Sequence, residues 1–107
     1  MAEELPAAVS RVIEATNAGD SDAFVGAFTD DGFVDDWGRV FTGPAEIRSW
    51  NDAENIGVHA RFRVQEVTVD GDIVRAGLAV SGGGFNGPST FTFELAGDRI
   101  RSMRITG

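Results

Sequence analysis

The apolar positions of this chain change period at Val58. Before it they recur every three or four residues, and after it they alternate. Leu5, Val9, Val12, Ile13 and Thr16 fall on one face of a helix predicted over Leu5 to Ala18. Pro6 suits its first turn, where a missing N–H costs nothing. Asn17-Ala18-Gly19 is the stop, with Gly19 a natural C′ residue. Asp20 then caps a second helix, Ser21 to Phe28, whose apolar face is Phe24, Val25 and Phe28. So short a connection predicts a helical hairpin. Asp30-Asp31-Gly32 reads as a turn, Phe33-Val34 as a short strand, and Gly38 as a second turn leading to Val40-Phe41. Pro44 opens a third helix that runs to about Trp50 or Asp52, with Ile47 and Trp50 on one face. The polar segment Asn51 to Gly57 reads as the end of that helix plus a loop.

Val58 to Val69 is a long strand with Val58, Ala60, Phe62 and Val64 on one face. The apolar positions then shift to Val67 and Val69, which predicts a β-bulge near Gln65-Glu66. Asp70-Gly71-Asp72 is a hairpin turn into the strand Ile73 to Ser81. Gly82-Gly83-Gly84 and Asn86-Gly87-Pro88 bracket Phe85 in a mobile, glycine-rich connection. Ser89 to Leu95 and Arg99 to Ile105 complete four strands. Helices followed by a strand meander make an α+β class, with three N-terminal helices packed on a curved antiparallel β-sheet.

Composition narrows the picture. A chain of 107 residues with 42 % hydrophobic residues and eight Phe holds one domain, 1–107, with a single core. There is no Cys, so neither disulfides nor thiolate metal sites form. No run of about 18 apolar residues exists to span a membrane. The acidic start, Met-Ala-Glu-Glu-Leu-Pro, is unlike a signal peptide and argues for the cytoplasm. The net charge of −8 disfavours nucleic acid and anionic membranes as partners. It is uneven: residues 1–54 carry twelve acids against three Arg, and residues 55–107 five acids against six Arg. The absence of Lys hints at a GC-rich bacterial genome.

Five segments carry a family resemblance: Asn17-Ala18-Gly19-Asp20, Phe28-Thr29-Asp30-Asp31-Gly32, Val34-Asp35-Asp36, Phe41-Thr42-Gly43-Pro44-Ala45-Glu46-Ile47 and Gly97-Asp98-Arg99-Ile100. In this order and spacing the chain resembles the nuclear transport factor 2-like superfamily. Within it, the SnoaL-like polyketide cyclase and ketosteroid isomerase branch is the most similar. The resemblance implies a cone-shaped fold, a pocket between helices and sheet, and a homodimer through the outer sheet face. An outer stripe of Arg61, Arg63, Arg75, Arg101 and Arg104 is either solvated or paired with Glu66 and Glu94 across that dimer.

The resemblance also aligns Asp36 with the general base of ketosteroid isomerases. A carboxylate against an indole face loses hydration, which suits it to proton transfer; the plainer reading is a solvated turn residue. Asp35, one residue earlier, points to the opposite, outer face. The family's oxyanion donors correspond to Val12 and to about Phe91, neither of which can donate, so a steroid isomerase mechanism is not implied. The Asp-Arg-Asp trio of limonene epoxide hydrolases is not evident, Arg39 lying close to the turn.

His59 is the one histidine. It either pairs with Asp36 as a second catalytic group or sits exposed at the strand start. A single His among scattered acids gives no metal-ligand pattern, and no cofactor is expected. Trp37 and Trp50 either wall the pocket, with an N–H toward a polar ligand group, or pack as core. The expected pocket is lined by Val12, Phe28, Asp36, Trp37, Trp50, Phe62 and Phe91, with Phe85 as a lid or a dimer contact. Two functions fit. One is an isomerase, cyclase or hydrolase/dehydratase acting on a small apolar, polyketide- or terpenoid-like molecule with Asp36 as base. The other is a ligand-binding or interaction module without chemistry.

Overall fold

The computed structural model describes residues 5–107. Helix α1, Ala7–Ala18, begins two residues later than Leu5, because the Pro6 carbonyl accepts the first helical bond, from Ser10 N at 3.0 Å. Its buried stripe includes Val9, Val12, Ile13 and Thr16, as the spacing predicts. Gly19, at φ 72°, ends it in the left-handed region, and the backbone N–H groups of Gly19 and Asp20 return to Thr16 O and Ala15 O. Asp20 caps α2, Ser21–Gly26, by accepting from Ala23 N at 3.0 Å.

Helix α2 stops before Phe28. The Ala27 carbonyl accepts instead from Ile100 N at 2.8 Å, and Phe28 pairs with Ile100 as the start of strand β1, Phe28–Asp36. The Asp30-Asp31-Gly32 turn signal is thus spent inside a strand. It becomes a bulge: five steps along β1, Phe28 to Phe33, are matched by two along its partner, Ile100 to Ser102. Gly32 fits there because a Cβ would come to 3.1 Å from the carbonyls of Thr29 and Ile100.

Strand β2, Arg39–Thr42, returns antiparallel from a two-residue turn, Trp37-Gly38, in which both residues have positive φ (53° and 93°). This is the type I′ pattern, whose twist suits a hairpin. Helix α3, Gly43–Trp50, follows, with Thr42 N donating to Glu46 Oε1 at 2.9 Å as a cap. The segment expected as the helix end plus a loop continues as a π-helical turn, Asn51–Asn55, and a 3₁₀ turn, Ile56–Val58. His59 then adopts a left-handed conformation, so strand β3 spans Arg61–Asp70 and not Val58 onward.

Strands β4 (Ile73–Ser81), β5 (Gly87–Ala96) and β6 (Arg99–Thr106) complete a meander, and the bulge in β3 falls between Val64 and Glu66, where the parity shift predicts it. The sheet order is β2-β1-β6-β5-β4-β3. One pair corrects the all-antiparallel expectation: β1 and β6 run parallel. Alternation reports which residues face inward, not which strands become neighbours. Here the first and last strands meet only after α3 and the meander have intervened, a connection long enough for a parallel pair. The fold class stands, as three helices on one face of a curved, mixed six-stranded sheet. Val9, Phe24, Val34, Ile47, Val74, Leu78, Phe93, Ile100 and Met103 fill the interface between the layers.

The π and 3₁₀ turns leave no room for a side chain at Gly57, where a Cβ would collide with the Asp52 carbonyl. Gly57→Ala is expected to cost about 1–3 kcal/mol or more of unfolding free energy, as an overpacked backbone contact does. Gly26, with open space at its Cβ, is the control. Gly26→Ala should be neutral or stabilising by up to about 1 kcal/mol, read by urea denaturation of both variants.

Candidate functional site

A cavity of about 270 Å³ opens between the end of β1, the π-helical turn and the inner faces of β3 to β6. It is a little below the common range for small-molecule sites, about 300–1,000 Å³. Its apolar wall comes from Trp50, Val58, Ala60, Phe62, Val80, Phe91 and Ile105. Phe62 and Phe91 meet edge-on with centroids 5.0 Å apart. Its polar groups are Asp36, Glu54, Asn55, Ser81 and Ser89.

Asp36 is positioned by its strand. It follows Val34 at the inward parity of β1, and its side chain is 17 % exposed. The carboxylate meets an indole, but it is that of Trp50 and not of its neighbour Trp37, and the contact is edge-on: Trp50 Nε1 donates to Asp36 Oδ2 at 3.0 Å. The Trp37–Gly38 turn makes Arg39 the cross-strand partner of Asp36. Arg39 Nη2 reaches Asp36 Oδ2 at 2.5 Å. The same guanidinium forks onto Glu54, Nη2 to Oε1 at 2.6 Å and Nη1 to Oε2 at 3.0 Å, and lies 5.7 Å from the centroid of the Phe41 ring. This bidentate geometry holds the Glu54 carboxyl below the usual carboxylate range and raises Arg39 above its usual value. Asp35 points to the other face, where it accepts from Arg104 Nη1 at 2.7 Å and from Gly38 N at 2.8 Å.

Five of the sequence-predicted residues come together here: Asp36, Trp37, Trp50, Phe62 and Phe91. Trp37 is a rim residue, 64 % exposed, because its left-handed turn swings it outward. Val12 and Phe28 are buried in the core and do not line the cavity. His59 is exposed on its left-handed turn, in a separate hollow beside Thr16 and Gly19, and is not brought to Asp36.

Glu54 and Asn55 carried no sequence signal, since only a π-helical turn directs both toward the cavity. Arg39 did have one: across a two-residue hairpin turn the flanking residues face each other. Phe85 lines the mouth and is 58 % exposed. The expected loose loop around it is tied down. Asn86 Nδ2 donates to the carbonyls of Gly82 (2.9 Å) and Gly84 (3.1 Å), and Gly83 N donates to Val58 O at 2.8 Å. Asn55, buried, donates to Asn51 Oδ1 at 2.9 Å and Thr16 Oγ1 at 3.2 Å, which ties the π-helical turn to α1. Among the described residues no cluster of His, Cys, Asp and Glu gathers as metal ligands do, and no helix is long and apolar enough to cross a membrane.

Helices on one face of a curved sheet, with a carboxylate at a cavity between them, define a protein of the nuclear transport factor 2-like class. The chain belongs to the SnoaL-like domain family, whose model matches residues 9–103. It is similar in structure to a proposed polyketide cyclase from Sinorhizobium meliloti, at 30 % identity and TM-score 0.87 over 95 % of both chains. A cystatin-fold protein from Novosphingobium aromaticivorans shares 20 % identity at TM-score 0.81, over 94 % of this chain and 95 % of its own. The epoxide hydrolase/cyclase-like enzyme SalBIII, of pyran ring formation in the polyether salinomycin, shares 24 % at TM-score 0.82, over 92 % and 86 %. No curated protein matches the chain.

The Arg39 fork has a pH signature. Because the carboxyl of Glu54 is held lower in the folded state, the pair's contribution is complete above the unfolded Glu value of about 4.3 and is lost as pH falls through the folded one. Glu54→Gln should therefore lower the melting temperature at pH 7, with the difference from wild type shrinking as both are acidified to about pH 3. Calorimetric melts across that range check it.

Proposed function

We propose that the cavity receives a small, largely apolar molecule, polyketide- or terpenoid-like, and that the chain is a cofactor-independent acid–base isomerase, cyclase or hydrolase/dehydratase. One observation carries this reading: an inward carboxylate, Asp36, stands at the wall of an apolar cavity with one oxygen already held by two donors. In this reading Oδ1 exchanges the proton with the ligand. Trp50 and Arg39 fix the carboxylate plane and balance its charge as it gains and loses the proton. Trp50, Phe62 and Phe91 exclude water, and Phe85 and Trp37 flank the entrance. The similarity to the proposed Sinorhizobium polyketide cyclase and to SalBIII supports this reaction class.

A specific observation favours a second reading, a binding module without chemistry. Phe91 offers no donor to a developing oxyanion, and Val12, fully buried, stands outside the cavity. Proton exchange separates the two readings. Wild-type protein in D₂O is expected to speed deuterium incorporation next to the carbonyl of small cyclic ketones and enones, followed by proton NMR. Asp36→Asn should lose about 10²–10⁴-fold of that rate while still binding the ketone. Binding by wild type with exchange no faster than buffer would leave the module reading.

We also propose a homodimer through the outer sheet face, in the cytoplasm. That face presents Arg63, Glu66, Arg75, Thr90, Thr92 and Glu94, which alternate in charge and suit a partly polar, self-complementary contact. Sedimentation at tens of micromolar is expected to give twice the 11.4 kDa chain mass. A single 11.4 kDa species would remove the proposal.

A further inference from the structure

The charge around the cavity selects among apolar ligands. Two carboxylates line it, Asp36 and Glu54, and among the described residues no basic side chain does. Arg39 reaches both from outside the lining and is one guanidinium for two acids. The other acid nearby, Asp35, is already matched by Arg104 on the opposite face. One negative charge at the cavity wall is therefore left without a counter-charge. The chain as a whole, at −8 and without Lys, adds a field of the same sign. The same cavity is lined by the rings of Trp50, Phe62 and Phe91, with Trp37 and Phe85 at its rim. Their π faces attract cations and tolerate apolar skeletons equally well. An anionic ligand would meet like charge in a partly desolvated site, and a neutral one would leave the extra charge unmatched.

We propose that the ligand of this cavity is a protonated amine on a small apolar skeleton. The ammonium sits at Asp36 and Glu54, and the skeleton packs on Phe62, Phe91 and Ile105. This goes beyond the reading above: it rests on the cavity being the ligand site, and it gives Asp36 Oδ1 to the ammonium in place of proton exchange. Both donors to Asp36 meet Oδ2, so among the described residues Oδ1 is left as the natural acceptor for the ammonium.

The test compares three probes of one skeleton: cyclohexylmethylammonium, cyclohexylmethanol and cyclohexanecarboxylate. Each is titrated into the full chain at pH 7 and followed by ¹H–¹⁵N NMR at Trp50 Nε1–H and the Ala53 and Phe85 amides. The amine is expected to bind at least about tenfold more tightly than the alcohol, a difference of about 1.4 kcal/mol, with the carboxylate weakest. Glu54→Gln, at a half-exposed position, should cut the preference severalfold, and Asp36→Asn should cut it further. Equal affinity of amine and alcohol at these signals would overturn the proposal and leave the cavity reading intact. A preference unchanged in both variants would reduce it to the field of the whole chain and overturn it as well. Shifts from none of the probes would remove both the amine and the cavity reading.

Discussion

The structure depends on the parallel pairing of β1 with β6. Before that contact forms, the chain consists of two local units. One is the helices with the β1–β2 hairpin; the other is the β3–β6 meander. Each has neighbours close in sequence, and neither buries its apolar face alone. Pairing of Phe28 with Ile100 and of Val34 with Met103 joins them into one sheet. The same contact ends α2 at Gly26, forces the bulge through Asp30-Asp31-Gly32, and seats Phe24 and Phe28 within 5.5 Å of each other in the core. The cavity lies across this seam, with Asp36 and Trp37 from one unit and Phe62, Phe91 and Ile105 from the other. No fragment lacking either unit can contain it.

The site is held by polar devices more than by packing. A two-residue turn sets Arg39 opposite Asp36, and a π-helical turn delivers Glu54 to the same guanidinium. Such turns are rare and concentrate at functional sites. This one is secured from behind by buried Asn51 and Asn55, which bond to Ser21 and Thr16 of the first two helices. The result is a carboxylate whose orientation is over-determined at one oxygen and open at the other. Preorganisation of that kind benefits a binding group and a proton carrier alike, since neither has to spend ligand affinity on ordering it.

The glycine-rich connection before β5 follows the same logic. Glycines there allow backbone to approach backbone: a Cβ on Gly82 would come to 2.8 Å from His59 O. The bonds made by Asn86 turn a flexible composition into a defined rim that presents Phe85 beside the cavity mouth. Low side-chain content and order are compatible when the backbone's own polar groups find partners.

Local pattern was enough for much of this molecule. The helical stripe of α1, its Gly19 stop, the Asp20 cap, the parity shift in β3 and the hairpin turns depend on contacts a few residues long, so they are readable from residue types in order. Asp36, Trp50, Phe62 and Phe91 were legible as cavity residues because strand and helix parity alone aims them inward. What was not legible depends on partners far away in the chain. Phe28 left its helix for a strand because Ile100 supplied a hydrogen-bonding edge about seventy residues later. Val12 has the right helical phase yet lies under the core, since phase gives direction but not depth. His59 is exposed, the alternative that alternation offered, but it sits on a left-handed turn before the strand, which alternation does not register. Glu54 joined Asp36 through a π-helical turn and an Arg whose reach depends on where β2 lies against α3. Element identity is a property of short windows, whereas a site of opposed charges is a property of distances between windows, and those distances exist only once the seam between β1 and β6 has closed.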